Sequence, residues 1–180
     1  DLAQAIRTNE RQFNIAAMQA NAGAGGVFLA LAADAVYARE SVILNPHYKS
    51  MGNLYGSEYW TYRLPKRVGR DRAIALTQNR LPISASAAQA AGLIDASFAL
   101  DRAAFIKMID NLAEQLAQAP DYAARLQRKI QQRRNDEREK PLQRYRDEEL
   151  HRMQLNFYGF DPSYHVARYH FVHKLPHAWT

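Results

Sequence analysis

Apolar and polar positions divide the chain into a mixed first half and a helical second half. Short apolar runs bounded by turn residues predict strands over 13–18, 35–38 and 42–44, and an alanine-rich segment predicts a helix over 26–33. From Asp101 onward, apolar positions recur at helical spacing, beginning with Phe105, Met108, Ile109, Leu112 and Leu116. Because that spacing forms one apolar stripe, we expect it to pack against a core.

Capping and breaking residues mark the bounds of further helices. Ser84 can cap the start of a short helix that Gly92 would end, and another short helix is expected after Gly69. Pro120 interrupts the helical half, and Pro141 is expected to separate two later helices. The second half is therefore predicted to contain several helices.

Length and composition indicate one globular core. With 180 residues and 47% hydrophobic content, we expect an α/β unit over 1–100 and a long all-helical C-terminal region over 101–180. No run of about 18 apolar residues and no secretion signal is visible, so we expect no membrane partner. The absence of cysteine excludes disulfides and thiolate chemistry and suits a cytoplasmic protein.

The net charge of +6 comes largely from basic residues in the helical half. Such a stripe can bind nucleic acid. These basic residues are Arg125, Arg128, Lys129, Arg133, Arg134, Arg138 and Lys140. They are interleaved with Asp136, Glu137, Glu139, Asp147, Glu148 and Glu149. This mixture favours a solvated, salt-bridged helix face over a nucleic-acid site.

Two further groups of polar residues suggest ligands only weakly. Arg63, Lys66 and Arg67 could face an anion or could be ordinary surface charges. Four histidines near the C-terminus lie among aromatic residues and have no cysteine beside them, so we predict aromatic packing and no metal site. These are His165, His170, His173 and His177.

A glycine-rich turn over 21–26 leads into the predicted helix over 26–33. Glycines let the backbone approach a ligand closely, and the first amides of a helix have no intrahelical acceptor. The spacing fits neither a dinucleotide fingerprint nor a phosphate-binding loop. Two interpretations stay open from the residues alone: an oxyanion hole, or close packing of the turn.

Four ordered segments resemble the enoyl-CoA hydratase/isomerase (crotonase) superfamily. They are AGAGG and LALAAD within 22–34, LNP and MG within 44–52, RLPKRVG at 63–69, and ISA and AGLID within 83–95. The resemblance implies a crotonase-like ββα spiral whose N-terminal turns are missing here. It also implies that the backbone amide of Gly25, helped by Gly26, binds a thioester carbonyl, with Ala24 and Phe28 beside the ligand.

Two departures from that family change the expected chemistry. Hydratases of the family carry glutamates where this chain has Phe28 and His47. Without an acid/base pair to activate water, hydration of an enoyl thioester is not expected. His47 could act as a base, but we favour a packing or hydrogen-bonding role for it in a changed pocket.

Two aromatic-rich segments resemble one branch of the superfamily, the hydrogenase maturation proteins of the HypX/HoxX type. The segments are NPHYKSMGNLYGSEYWTY at 45–62 and LNFYGFDPSYHVARY at 155–169. The resemblance implies that an N-terminal half, absent from this chain, moves a formyl group from formyl-tetrahydrofolate to coenzyme A. The crotonase-like half would then act as a lyase, releasing CO from formyl-CoA for a nickel-iron hydrogenase.

Release of CO requires one base for the formyl proton and one acid for the departing sulfur. We expect Tyr48 and Glu58 to converge, with Glu58 as the base and Tyr48 as its hydrogen-bond partner and the proton donor to sulfur. The isolated chain is expected to be inactive. The alternatives are a non-catalytic crotonase-like scaffold for partner binding or oligomerisation, and the disfavoured nucleic-acid site.

Overall fold

The computed structural model describes residues 2–48, 54–79 and 81–176. Its helices in these ranges are α1 (Leu2–Thr8), α2 (Gly25–Ala30), α3 (Trp60–Val68), α4 (Arg70–Gln78), α5 (Ala85–Ala90), α6 (Arg102–Gln118), α7 (Tyr122–Glu139), α8 (Leu142–Tyr158) and α9 (Pro162–Val172). Its strands are β1 (Ile15–Met18), β2 (Ala22–Gly23), β3 (Ala35–Arg39), β4 (Ile43–Asn45), β5 (Ile83–Ser84) and β6 (Ala96–Phe98). Residues 49–53 of the aromatic-rich motif and His177 lie outside the described residues.

Two three-stranded sheets hold the α/β part together. The first has the order β1-β3-β6 with all strands parallel, and Ala16 pairs with Val36. In the second, β4 pairs in parallel with β2 and antiparallel with β5. Alternate residues of β3, Val36 and Ala38, are fully buried, as expected for a strand with one face on the core.

Helix α2 fills the core between the sheets and the later helices. Phe28 on this helix and Leu31 just after it are completely buried, and they pack with Leu44, Leu64 and Leu93. Because these side chains come from separate elements, they bring the start of α2, the end of β4 and helix α3 to one place.

The apolar pattern predicted most of these elements. The strands near 15, 35 and 43, the helix after the glycine turn, and the helix breaks near Pro120 and Pro141 are confirmed. The Ser84 hydroxyl caps α5 as predicted, accepting a bond from the Ala87 amide at 3.1 Å. Helix α3 and strand β6 were not predicted; α3 contains Pro65, which sequence rules count against a helix.

The described C-terminal region consists of helices α6 to α9, and these helices are bonded to the α/β part. On α7, Lys129 and Arg133 form salt bridges with Asp34, at 2.6 and 2.7 Å. The interpretation of a wholly solvated charged face is wrong for three of its members, which are buried: Arg133, Asp136 and Glu149. The domain boundary near residue 100 stays a prediction.

None of the helices described between residues 2 and 176 is both long enough and apolar enough to cross a membrane.

Replacing Asp34 by Asn is expected to destabilise the fold strongly. The change leaves the largely buried Lys129 and Arg133 without their shared carboxylate, and removing one partner of a buried ion pair typically costs about 3–5 kcal/mol. Urea unfolding of the purified chain measures the loss. Asp121→Asn is the matched control, because its salt bridge with Arg125 is half exposed and its removal should change little. Equal stability of the two variants would contradict the prediction.

Candidate active site

Tyr48 and Glu58 are hydrogen-bonded to each other, although ten residues separate them. Tyr48 follows strand β4, and Glu58 lies just before helix α3. The Tyr48 hydroxyl donates to Glu58 Oε2, and the same oxygen accepts a bond from the Ser57 amide at 3.0 Å. The carboxylate is therefore held through one oxygen.

Gly25 lies directly against this pair at the start of α2. A Cβ atom built on Gly25 would lie 3.1 Å from Glu58 Oε1 and 3.5 Å from the Tyr48 hydroxyl oxygen. The Glu58 oxygen that is not held by Tyr48 therefore faces the Gly25 backbone. Gly26 is exposed beside it, and both glycines belong to the first helical turn, whose amides lack an intrahelical acceptor.

Ala24 shapes the turn that presents these glycines. Its φ of 47° is positive, and its amide donates to the Asn45 carbonyl at 2.8 Å. Its own carbonyl accepts bonds from the amides of Val27 and Phe28. The amide of Ala24 is thus engaged within the chain, and the bond to Asn45 ties the glycine turn to the strand that precedes Tyr48.

An aromatic wall surrounds the Tyr48 ring. Phe28 stacks on Tyr48 with 5.6 Å between ring centroids and on Trp60 with 6.0 Å. The Trp60 indole nitrogen donates to the Tyr55 carbonyl at 2.9 Å. Phe28 therefore makes this side of the site apolar.

A cavity of about 120 Å³ opens beside this wall. Its described lining residues are Phe28, His47, Tyr48, Leu54, Tyr55, Trp60, Thr77 and Gln78. Since one water molecule takes up roughly 30 Å³ in the liquid, the cavity has room for a group of only a few heavy atoms. His47 and Tyr48 are buried side chains that line this cavity. Tyr48 is also the partner of Glu58.

Burial raises the pKa of Tyr48 well above its usual value, and the hydrogen bond to Glu58 and the negative charges of Glu58 and Glu149 raise it further. Tyr48 is therefore a neutral phenol at physiological pH. A neutral phenol donates a hydrogen bond to a carboxylate, which is the direction of the bond from Tyr48 to Glu58.

Gly56 is a site residue that sequence reasoning missed. Its φ is +83°, and a Cβ atom there would lie only 2.2 Å from Cε2 of the Tyr48 ring. Both the backbone conformation and the contact require glycine. The signal in the sequence is weak, because a glycine in a loop does not reveal which side chain will pack on it.

Helix α8 also contacts this site, and sequence reasoning missed those contacts too. Glu149 and Asn156 accept hydrogen bonds from backbone amides of residues 55–61, and the Arg146 guanidinium donates to the Ser57 carbonyl. The available signal was that Glu149 and Asn156 occupy helical positions in line with Leu142, Tyr145 and Met153, where apolar residues are usual.

The basic residues after Tyr62 are engaged elsewhere. Arg63 donates to the Ala33 carbonyl at 2.8 Å, beyond the end of α2 that is remote from Gly25. Burial lowers the pKa of Arg63 to about 9, and the positive charges of Arg7 and Arg67 lower it further. Lys66 and Arg67 pair with carboxylates of the chain. The structure gives no support to an anion site for these residues beside Gly25.

The C-terminal histidines bond to nearby backbone. His165 contacts the Gly159 carbonyl at 3.1 Å, and His170 contacts the Pro176 carbonyl at 2.6 Å. In the part of the chain that the structure describes, no group of three or more potential metal ligands comes together.

Comparisons with known proteins agree with this fold. The sequence profile of the enoyl-CoA hydratase/isomerase family matches residues 1–180, and the chain belongs to that family. It is 53% identical to the hydrogenase maturation factor HoxX of Bradyrhizobium diazoefficiens, over 100% of this chain and 32% of HoxX. The chain thus spans about a third of the length of that relative.

Solved structures with a similar fold include a maturation protein and an enoyl-CoA hydratase/isomerase. HypX from Aquifex aeolicus, crystallised in complex with tetrahydrofolic acid, is 46% identical and superposes with a TM-score of 0.89, over 97% of this chain and 31% of HypX. An enoyl-CoA hydratase/isomerase from Pseudoalteromonas atlantica shares only the fold. It is 21% identical, with a TM-score of 0.79 over 99% of this chain and 67% of that protein.

Proposed function

We propose that this chain forms the acyl-CoA site of a hydrogenase maturation protein and that the site splits formyl-CoA into CO and coenzyme A. The observation that carries the proposal is the hydrogen-bonded Tyr48–Glu58 pair against the backbone of Gly25. The similarity to HoxX and HypX supports the maturation role. The family supports a CoA thioester as the substrate class.

The residues at the site argue against hydration. The two hydratase acids are replaced by Phe28 and His47, both of which are buried. Phe28 stacks on Tyr48 and lines the cavity, so an apolar ring stands where water would have to be activated. A reaction that excludes water and needs one base and one acid fits the remaining groups better.

The proposed reaction begins at the formyl C–H bond. The amide of Gly25 binds the thioester oxygen, and Glu58 Oε1 takes the formyl proton. The electron pair of the C–H bond stays on carbon and becomes the lone pair of CO. The C–S bond breaks with its electrons on sulfur, so the products of this step are CO and the coenzyme A thiolate.

Tyr48 completes the proton transfer. Its hydroxyl gives a proton to the thiolate, and the protonated Glu58 returns one to the phenolate once its carboxyl group has turned toward Tyr48. Because the pKa of Tyr48 is raised by burial and by the bond to Glu58, a lasting phenolate is unfavourable. The two transfers must therefore be closely coupled, and coenzyme A leaves as the thiol.

The size of the cavity supports a small acyl group. A space of about 120 Å³ suits a formyl group, and Tyr48 of the proposed pair lines it together with Phe28 and Trp60. The formyl group would come from the upstream half of a longer protein, where a formyl-tetrahydrofolate donor is in keeping with the folate in the HypX structure. The other partners would be components of the hydrogenase maturation machinery.

The direct test is to give formyl-CoA to the full-length protein. We expect CO, trapped by a haem protein, and free coenzyme A thiol to appear in equal amounts. Acetyl-CoA, which has no formyl hydrogen, is the matched control and should release no CO. Formate with coenzyme A but no CO would contradict the proposal in favour of a hydrolase, and coenzyme A binding without turnover would favour the non-catalytic scaffold.

A further inference from the structure

The segment that carries Glu58 is attached to helix α8 at several points. We call residues 54–61 the Glu58 segment. The Tyr55 amide donates to Asn156 Oδ1 at 3.0 Å, and the Arg146 guanidinium donates to the Ser57 carbonyl. Both bonds lie before Glu58, and the bonds of Glu149 to Tyr59 and Thr61 hold the segment after it.

Glu149 makes the most demanding of these attachments. Its carboxylate is 0% exposed and accepts bonds from the Tyr59 amide at 2.8 Å, the Thr61 amide at 2.9 Å and the Thr61 hydroxyl at 2.6 Å. Burying a carboxylate is costly unless its oxygens are fully hydrogen-bonded. An apolar side chain would be enough for packing at position 149. The presence of a carboxylate there is therefore explained by the three hydrogen-bond donors of Tyr59 and Thr61.

The backbone next to Glu58 needs such an anchor. Tyr59 has a φ of 58° and ψ of 28°, a left-handed conformation that is unfavourable for a non-glycine residue. The Tyr59 side chain does not cap α3. Glu149, far along the chain, takes that role by accepting from the amide of Tyr59, just before the helix, and from the amide of Thr61 in its first turn. It thereby stabilises the sharp turn from which Glu58 points to Tyr48.

The second anchor is itself held in place. The Asn156 amide nitrogen donates to Asp161 Oδ2 at 2.8 Å, and Asp161 caps helix α9 by accepting from the Tyr164 amide at 3.1 Å. The start of α9 therefore orients Asn156, and Asn156 orients Tyr55. The C-terminal helices act on the site through this chain of bonds.

We propose that α8 aligns the catalytic carboxylate, with Glu149 as the main positioning residue for Glu58 and Asn156 as the second. The inference rests on the proposed function for Glu58. Neither positioning residue touches the substrate. Each fixes the backbone on one side of Glu58, and a misplacement of about 1 Å at a reacting group can cost 10²-fold in rate.

The test compares Glu149→Gln with Glu148→Gln in the full-length protein. The first puts an amide NH₂ against the donors of Tyr59 and Thr61, whereas the second removes the same charge from an exposed residue of the same helix. We expect Glu149→Gln to lower kcat for CO release by about 10–100-fold with KM nearly unchanged. Glu149→Asp, which keeps the charge, should recover part of the loss, and Glu148→Gln should match the parent.

A crystal structure of the Glu149→Gln variant supplies a readout that does not depend on the reaction. We expect the bond between the Tyr48 hydroxyl and Glu58 to be lost. An intact bond, or a parental kcat of Glu149→Gln while Glu58→Gln is impaired, would overturn the positioning role. If Glu58→Gln is fully active while Glu149→Gln loses this bond, the proposed reaction is wrong and the positioning role stands. If Glu149→Gln does not fold, Asn156→Ala is tested in the same way, against the same expected results.

Discussion

Replacing Glu58 by Gln or Tyr48 by Phe is expected to lower CO release by the full-length protein by about 10²–10⁴-fold while leaving coenzyme A binding nearly intact. Gln keeps the shape of Glu58 but cannot accept the formyl proton. Phe keeps the ring that stacks on Phe28 and removes only the hydroxyl that donates to Glu58. Single-turnover rates of CO formation, with calorimetric binding of coenzyme A, measure both effects.

The two losses should not add, because the groups act as one relay. The double variant is expected to be about as slow as the slower single variant. Tyr158→Phe and Glu148→Gln are the matched controls, since both side chains are exposed and neither is bonded to Tyr48 or Glu58. Parental activity of either Glu58→Gln or Tyr48→Phe would show the relay to be wrong, and His47 would become the next residue to test.

Gly25→Val is expected to lower kcat/KM for formyl-CoA by about 10²–10³-fold, the usual effect of losing an oxyanion donor. The structure adds a second reason. The first carbon of any side chain at Gly25 would lie 3.1 Å from Glu58 Oε1, the oxygen proposed to take the proton. The substitution would therefore obstruct both the substrate oxygen and the base.

Gly23→Ala is the control for this prediction. It lies in the same turn, and its Cβ would make only an ordinary contact of 3.9 Å with the Cβ of Asn45. We expect it to leave the rate of CO release close to that of the parent. A folded Gly25→Val protein with parental turnover would remove Gly25 from the oxyanion site.

Local patterns predicted the elements whose residues carry the signal themselves. A short apolar run predicted β3, and Ser84 predicted the cap of α5. Helix α3 was missed because its determinants are not local. It begins after a left-handed tyrosine, its cap comes from Glu149 on α8, and Pro65 interrupts its pattern. Strand β6 is only three residues long and is held by its pairing with β3, so its own residues do not predict a strand.

The residues of the candidate site also fall into those that the sequence predicted and those that it did not. Tyr48 and Glu58 lie within one motif, and a resemblance of that motif was enough to pair them. The need for glycine at position 56 depends on the Tyr48 ring that packs against it. Glu149 and Asn156 depend on donors about 90 and 100 positions earlier. A polar residue at an apolar helical position signals that a partner exists, but the fold alone identifies it.

The distance along the chain between the Glu58 segment and α8 has a consequence for synthesis. The bonds from Glu149 and Asn156 join residues 88 to 101 positions apart. At the usual elongation rates of about 5–20 residues per second, the ribosome adds the anchors about 5–20 s after the segment that they hold. The sheets and α2 can pack during that interval, because their strands come from the first hundred residues. A nascent chain would thus bury its aromatic wall first and align its carboxylate only when translation had passed α8.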